Sequence, residues 1–488
     1  MEHPIDSGLL FSLLRRPGVQ LPGIRSESGS GGSALERSGR SGQLRALILA
    51  YDFPPLVSVG GLRPYSWYRY LKRFGVEPTV ITRQWSDCGA NGPDYVAPSG
   101  SNEVVVEASE FGTIVRAPYD PTLSNRVLRR ARMRFRLVRR AVTAWYEIGQ
   151  YMLPIGPRRH LYLTARSYLR QRGADVIVAT GEPFVLFRYA ARLAEEFRIP
   201  WIADYRDPWT QDRTRLPWRL SRAWNARLET RFTSNASAIT TVSEFVGDLI
   251  ATLIKGKPIH IVPNGYDPDA VGRARGIEQS SGKLTIAFVG TIYDGYPVEG
   301  VLSACSQFLV RTRDARFELR FVGIDRENEV ERMVRSRFAA LIPFVTFFKR
   351  APNAEIIETL ANANAFLLFN NFAYVGTKIY DYLGLRRRIL LCFSDDSQTR
   401  KVRHEWYDFD EAGRMNRRVQ EDMVTATQSG VVVRDEAHLV DTLSDLYREF
   451  LENGRVACNS VGSEAYSREA HAGKMAEIVR GVSRGHQA

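Results

Sequence analysis

The segment Ala203–Thr210 concentrates groups that could do chemistry, because it holds two carboxylates, a guanidinium and an indole. It follows a short apolar run that we predict to be a strand, and ligands of open α/β sheets bind beyond the carboxyl ends of strands. Asp204 or Asp207 would accept a proton or a hydroxyl hydrogen bond, and Arg206 would hold a phosphate. The alternative is an internal Arg–Asp ion pair that stabilises the loop.

A second candidate site lies at Gly376–Leu383, where Gly376 and Thr377 precede a predicted helix. The free N–H groups of a helix N-terminus attract anions. Lys378 is in the first turn and suits a phosphate. Asp381 lies about one turn further on the same face, where it would hold ribose hydroxyls. A surface Lys–Asp pair is the alternative.

A third candidate is the loop from Phe53 to Gly61, which joins a predicted strand to a predicted helix. Gly60 and Gly61 would let the backbone approach a ligand closely. The loop matches neither G-x-G-x-x-G nor the P-loop pattern. A tight turn between strand and helix is the alternative.

The fourth feature is a basic segment, residues 125–146, which contains eight arginines and no acid before Glu147. We predict a basic amphipathic helix that binds an anionic membrane surface. Its predicted apolar stripe is Leu128, Ala131, Phe135, Val138, Val142 and Trp145. The alternative is a solvated helix with its stripe packed into the protein, and both can hold together. The predicted membrane-binding residues are Arg129, Arg132, Arg136 and Arg139.

The elements that position these groups alternate between strand and helix, which predicts two doubly wound α/β domains. Within the 488 residues we predict a disordered tail (1–43), a first Rossmann-like domain (44–262), a linker (263–282), a second Rossmann-like domain (283–462) and a C-terminal segment (463–488). We expect the helix of that last segment to cross back to the first domain.

Composition narrows the function classes. The formal net charge of +13 points to an anionic partner. No nucleic-acid-binding module is recognisable, so we expect none of that class. No apolar run reaches the length of a membrane span, and the four scattered cysteines favour a reducing, cytoplasmic location. The D-x-D pairs Asp267–Asp269 and Asp408–Asp410 fit a metal motif that is common by chance, so we predict no metal and no cofactor.

Taken together, the motifs resemble the group 1 (family 4) retaining glycosyltransferases of the GT-B fold. They occur in that family's order across residues 44–480. The resemblance implies two Rossmann-like domains facing a cleft, the second binding a nucleotide-sugar and the first an acceptor. The matching stretches are Leu47–Pro55 with Gly60 and Gly61, Ile202–Trp209, Thr241–Glu244, Val262–Asp267, Phe288–Thr291 and Thr377–Leu383.

The resemblance also implies roles for individual residues. Gly60 and Gly61 would lie near the donor phosphates and sugar, and Asp204–Asp207 would face the transferred sugar. Asp381 takes the place of the family's ribose-binding second glutamate. Donor binding would also involve Gly290, Thr291, Thr377 and Lys378.

The sequence departs from the family pattern at two places. Ala373 stands where the first glutamate of the E-x7-E motif is expected, and no basic residue closely follows Gly290–Thr291. Lys378 would compensate for the second departure.

We therefore predict an enzyme, a glycosyltransferase that moves a sugar from a nucleotide-sugar to an acceptor with retention of configuration. The arginine-rich segment favours a lipid-linked saccharide acceptor, hence cell-surface polysaccharide or lipopolysaccharide synthesis by a cytoplasmic, peripheral membrane protein. One rival is a non-catalytic GT-B-like protein at the membrane, which the departures favour. The other is a nucleotide-sugar epimerase or hydrolase.

Overall fold

The structure is a computed structural model. It describes residues 43–85, 93–130, 136–153, 155–211, 219–351, 353–401 and 416–487. Among these residues the fold is mixed α/β and contains two sheets, with one antiparallel hairpin at the edge of the first.

The first sheet has eight strands in the order β3-β4-β2-β1-β5-β6-β7-β8. The central strand β1 is fully buried over its last four residues and pairs in parallel with β2 and β5. Parallel strands buried on both faces read as continuous apolar runs, which is why the sequence pattern revealed them. The strands are Leu44–Leu49, Val76–Arg83, Val105–Ser109, Gly112–Ala117, Val176–Gly181, Trp201–Tyr205, Ala238–Thr241 and Ile259–Ile261.

The second sheet has six strands in the order β11-β10-β9-β12-β13-β14. Its pairs are all parallel, and β9 lies beside both β10 and β12. The carboxyl ends of these three strands therefore share one edge. The strands β9 to β14 are Leu284–Val289, Phe317–Val322, Val345–Phe348, Ala365–Phe369, Arg388–Cys392 and Gly430–Val433.

Helices connect the strands of both sheets. We number them α1 to α15 along the chain: Val59–Tyr70, Leu123–Arg130, Arg136–Gly149, Arg159–Arg172, Val185–Phe197, Arg219–Thr233, Glu244–Leu253, Pro268–Ala274, Val298–Arg311, Glu327–Arg337, Asn353–Ala361, Lys378–Leu385, Val419–Ala426, Glu436–Asn453 and Arg468–Gln487.

The chain divides into two compact units. Unit 1 comprises residues 1–239 and 476–488, and unit 2 comprises residues 240–475. The second boundary falls inside α15. Within unit 1, the end of that helix is fixed by Arg480, whose Nη1 donates a 2.7 Å hydrogen bond to the carbonyl oxygen of Phe74.

Three segments differ from the sequence-based expectation. The predicted linker contains α8, whose Ala270, Val271 and Ala274 are buried in the core of unit 2. The antiparallel hairpin β3–β4 was not predicted, because β3 is largely exposed and carries no apolar run. The basic segment contributes to two helices, of which α2 ends at Arg130 and α3 begins at Arg136. Among the residues described, no helix has the length and apolarity needed to cross a lipid bilayer.

Candidate functional site

The first group of predicted site residues surrounds the start of α12 in unit 2. This helix is held on the sheet by Tyr382, whose hydroxyl oxygen accepts a 3.1 Å hydrogen bond from the Val289 amide and donates one to the Leu367 carbonyl oxygen. The Thr377 side chain makes no capping hydrogen bond at this N-terminus. The first turn thus presents N–H groups to an anion.

Lys378 turns back from this first turn toward the end of β9. Its Nζ donates a 2.9 Å hydrogen bond to the Thr291 carbonyl oxygen and lies 4.5 Å from the centre of the Phe288 ring. Burial lowers the pKa of this amine to about 7, and the negative charge of Asp325 opposes part of that shift. An amine with so low a pKa favours an anionic ligand, which would stabilise its charged form.

Gly290 provides the space for Lys378. Its φ of +81° is one that other residues adopt only with strain, and an added Cβ would lie 3.0 Å from Lys378 Cε. The loop is fixed from the other side by Asp325, whose Oδ1 accepts a 2.9 Å hydrogen bond from the Ile292 amide. Gly290, Thr291 and Lys378, which the sequence separates by almost ninety residues, therefore form one site.

Asp381 lies one turn below Lys378 in α12 and is buried. Its Oδ1 has no hydrogen-bond partner among the described residues. Burial raises the pKa of this carboxyl to about 6, with Arg468 lowering it and Asp267 raising it further. A buried carboxylate oxygen that lacks a partner can accept a hydroxyl hydrogen bond from a ligand.

Ala373, where the resemblance expects a glutamate, lies in the loop before α12 and is fully buried. The loop is fixed by Gln420, whose Oε1 accepts a 2.7 Å hydrogen bond from the Asn371 amide.

The first of the two D-x-D pairs, Asp267–Asp269, lies at the start of α8. Asp267 caps α8 by accepting from the amides of Asp269 and Ala270. Asp408 and Asp410 lie outside the described residues.

The second group of site residues lies at the strand ends of unit 1. Asp204 is the last but one residue of β6 and its side chain is fully buried. Its carboxylate accepts hydrogen bonds from Arg63 of α1, with Nη2 to Oδ1 at 2.7 Å, and the Arg63 side chain is 4% exposed. This buried pair joins α1 to the end of β6. The predicted alternative was an Arg–Asp pair within the segment itself, whereas Asp204 pairs with an arginine from outside the segment. No sequence motif pointed to Arg63.

Arg206 follows β6 and is half-buried. It donates from Nε to the Gly181 carbonyl oxygen at 2.8 Å and from Nη2 to that of Glu182 at 2.6 Å. An added Cβ on Gly60 would collide with Nη1 of this arginine and lie 2.6 Å from Asp52 Oδ2. Nη1 of Arg206 therefore faces Gly60 of α1. Asp207, the next residue along the chain, is exposed.

The loop before α1 is a connected polar network. Ser58 caps the helix by accepting a hydrogen bond from the Gly60 amide, and its hydroxyl donates to Asp52 Oδ2 at 3.1 Å. Gly61 packs against the Phe53 backbone, where an added Cβ would lie 3.4 Å away. Asp52 was not predicted, although its position directly after β1 is one where ligand-binding residues occur.

The basic segment is described only in part. Arg132 lies outside the described residues, and nothing is described of the side chains of Arg129, Arg136 and Arg139. In α3 the residues of the predicted stripe differ in exposure, because Val142 is half-buried whereas Val138 and Trp145 are exposed. The exposed apolar side chains of α3 also include Leu137, which was not part of the predicted stripe.

Comparison with known proteins adds to this geometry. Residues 113–270 match the family described as Glycosyltransferase Family 4. An α,α-trehalose-phosphate synthase (UDP-forming) from Burkholderia vietnamiensis is similar in structure, with a TM-score of 0.55, 10% identity and coverage of 91% of this chain and 99% of that one. Sucrose-phosphate synthase from Thermosynechococcus elongatus is also similar in structure, with a TM-score of 0.51 and 13% identity. That likeness covers 91% of this chain and 97% of the synthase. No curated protein sequence matches the chain.

The structural likenesses confirm the predicted GT-B fold with its two Rossmann-like domains. The sequence match confirms the predicted resemblance to the family 4 glycosyltransferases, and the chain is a glycosyltransferase enzyme. The match extends from β4 to α8, a shorter stretch than the motifs span.

Proposed function

We propose that the enzyme transfers a sugar from a nucleotide-sugar to a lipid-linked saccharide, with retention of configuration. The observation that carries the proposal is the position of Lys378. Its amine, the start of α12 without a Thr377 cap and the close approach of Gly290 together suit a diphosphate. A nucleotide-sugar loses such a diphosphate when its glycosidic bond breaks.

In this mechanism the residues of unit 2 stabilise the leaving group. Lys378 Nζ exchanges its bond to the Thr291 carbonyl oxygen for a phosphate oxygen and becomes fully protonated beside it. The first-turn amides of α12 donate to the same anion. Charge that develops on the leaving diphosphate meets donors that are already in place, which lowers the barrier to bond cleavage.

The nucleoside end of the donor would be held by Asp381. Its unpartnered Oδ1 is available to the ribose hydroxyls. Ionised Asp381 is disfavoured by burial, and two hydroxyl donors would compensate for that cost. The absence of a carboxylate at position 373 leaves this role to fewer groups than the family pattern implies.

The saccharide groups would be bound by the strand ends of unit 1. Arg206 and Asp52 face Gly60 of α1, where Arg206 would supply a hydrogen-bond donor and Asp52 an acceptor. Asp207 is exposed and completes the polar set. Asp204 acts indirectly, because its hydrogen bond with Arg63 positions α1.

A lipid-linked acceptor and a place at the cytoplasmic face of a membrane are supported by the eight arginines of residues 126–140. Such a segment favours anionic lipid by about 1 kcal/mol for each basic residue near the surface. Assembly of a cell-surface polysaccharide or lipopolysaccharide is the process that such an acceptor indicates.

A ligand panel tests the donor site. Thermal unfolding is measured with UDP-, GDP-, ADP- and dTDP-sugars for the parent, Lys378→Ala and Asp381→Ala, with the exposed lysine variant Lys474→Ala as the matched control. A bound donor at a hundred times its Kd adds about 2.7 kcal/mol of stability. We expect one nucleotide to stabilise the parent and the control but neither site variant.

The second arm separates the rival functions. Incubation of the selected donor with and without membrane lipid extract, followed by NMR of the product, reports transfer and anomeric configuration. Sugar release or epimerisation without acceptor would indicate a hydrolase or an epimerase. Stabilisation by no donor would favour the non-catalytic protein.

A further inference from the structure

Helix α3 exposes an apolar stripe that no part of the described structure covers. Leu137 is 78% exposed, Trp145 68% and Ile148 55%, and Ala141 is also exposed. At 100° per residue these four side chains fall within an arc of about 80°. We call Leu137, Ala141, Trp145 and Ile148 the exposed stripe.

The other side of the helix is attached to the protein. Val142 and Tyr146 are half-buried, and Thr143 Oγ1 lies 2.5 Å from Ser124 Oγ of α2. Beyond the helix, the Tyr151 ring stacks on Trp209 and Phe232 at centroid distances of 5.7 and 6.1 Å. The stripe is therefore presented on a fixed element of unit 1.

The charges beside the stripe indicate what covers it. Residues 121–146 hold eight arginines and no acid, and the described side chains of Arg126 and Arg140 are exposed. Glu147, the one acid of α3, is held by Gln150 at 2.5 Å and Arg158 at 3.5 Å. A second copy of the chain would bring the same positive charge against this face, so self-association is opposed.

We propose that the exposed stripe inserts into the headgroup boundary of an anionic lipid bilayer, with the exposed Arg126 and Arg140 on the lipid phosphates. Tryptophan is enriched at this depth, where its ring is apolar and its N–H remains hydrated. A helix with one apolar and one basic face lies in the plane of the interface. Insertion adds an apolar contribution to the electrostatic attraction suggested by the arginines alone.

This inference deepens the membrane part of the proposed function, and its test contains no sugar. Failure here leaves the donor-site experiment untouched, and a failed donor site leaves vesicle binding untouched. The probe is a vesicle of phosphatidylcholine with phosphatidylglycerol, and binding is measured by co-sedimentation of the full chain at about 0.1 and about 1 M NaCl. The Debye length falls from about 10 to about 3 Å between them.

The variants separate insertion from attraction. A double variant, Trp145→Ser with Ile148→Ser, removes apolar contact with the bilayer. A triple variant, Arg132→Glu with Arg136→Glu and Arg139→Glu, reverses the charge of the basic segment. The control, Val310→Ser, changes an exposed apolar residue of unit 2. Each buried large apolar side chain is worth about tenfold or more in partitioning. We expect the double serine variant to bind about a hundredfold more weakly at both salt concentrations, and Val310→Ser to bind like the parent.

A second readout locates the tryptophan directly. Brominated lipid should quench part of the parent fluorescence, and Trp145→Phe should bind vesicles but lose that quenching. Equal binding by the double serine variant and the parent would overturn the proposal. So would light scattering that shows a dimer in the parent and a monomer in the double serine variant, because the stripe would then be a self-association surface.

Discussion

Lys378 Nζ and the Thr291 carbonyl oxygen, 2.9 Å apart, join the first turn of α12 to the loop after β9. The bond places the half-buried Lys378 at the carboxyl edge of the second sheet. In the proposed donor site a phosphate oxygen replaces that carbonyl oxygen. Several consequences of this placement can be measured.

Gly290→Ala should weaken donor binding. The new Cβ would lie 3.0 Å from Lys378 Cε at a φ of +81°, so that the lysine or the loop has to move. Titration calorimetry with the nucleoside diphosphate selected by the panel should show at least tenfold weaker binding. Gly454→Ala also changes a glycine of positive φ but has open space around it, and it should bind normally.

Donor binding should take up a proton above pH 7. The pKa of Lys378 is lowered to about 7 by burial, and a bound diphosphate would raise it again. Affinity should therefore fall by up to about tenfold for each pH unit above 7. Calorimetry at pH 8 in buffers of different ionisation enthalpy measures the uptake. Lys378→Met should show none, whereas unaltered uptake in that variant would assign the proton elsewhere.

Asp381→Asn should stabilise the free protein at neutral pH. Because the pKa of Asp381 is raised to about 6, the folded state binds the extra proton and stability falls as pH rises from about 4 to 6. Removing the charge should add up to about 3 kcal/mol at pH 7.5 and nothing at pH 4. Urea unfolding measures this difference. Asp441→Asn alters an exposed aspartate and should leave the pH profile unchanged.

Gly60→Ala should reduce transfer with little effect on folding. Alanine is favoured over glycine in a helix by about 1 kcal/mol, but its Cβ would displace the Arg206 guanidinium. Loss of charge-assisted bonds to the saccharide corresponds to about tenfold to a hundredfold in kcat/KM. Gly272→Ala, in an open part of α8, is the matched control. Full activity of Gly60→Ala would remove Arg206 from the saccharide site.

Asp204→Asn should act mainly on stability. Leaving Arg63 buried without its carboxylate costs about 3–5 kcal/mol, whereas the exposed Asp445 contributes little through its Arg448 pair. Thermal unfolding of Asp204→Asn beside Asp445→Asn tests this. A large loss of activity without a loss of stability would instead make Asp204 a catalytic residue.

The sequence predicted those parts of the molecule that depend on local pattern. Buried parallel strands such as β1 and β9 are continuous apolar runs, and Lys378 follows a helix-start signal. The pairing of β9 with β12 then brings Gly290 near Lys378, as two adjacent parallel strands require. Spacing left Asp381 as either a ribose-binding residue or half of a surface Lys–Asp pair, and the resemblance favoured ribose binding.

Other features had no local signal. Arg63 and Asp204 are 141 residues apart, and only the folded sheet brings them together. In the basic segment, residues at 3,4 spacing fit one helical stripe, but the chain forms two helices there. In α3, Leu137 and Trp145 are exposed whereas Val142 is half-buried. Periodicity identifies an apolar face and does not say whether it is covered.

The central claim is that unit 2 holds the donor diphosphate at Gly290, Thr291 and Lys378. Hydrogen–deuterium exchange of the parent, with and without the selected nucleoside diphosphate, tests this claim most directly. We predict slower exchange in peptides that cover residues 289–293 and 376–382, and no such change in Lys378→Met. Protection confined to other peptides, or equal protection in the variant, would contradict the account.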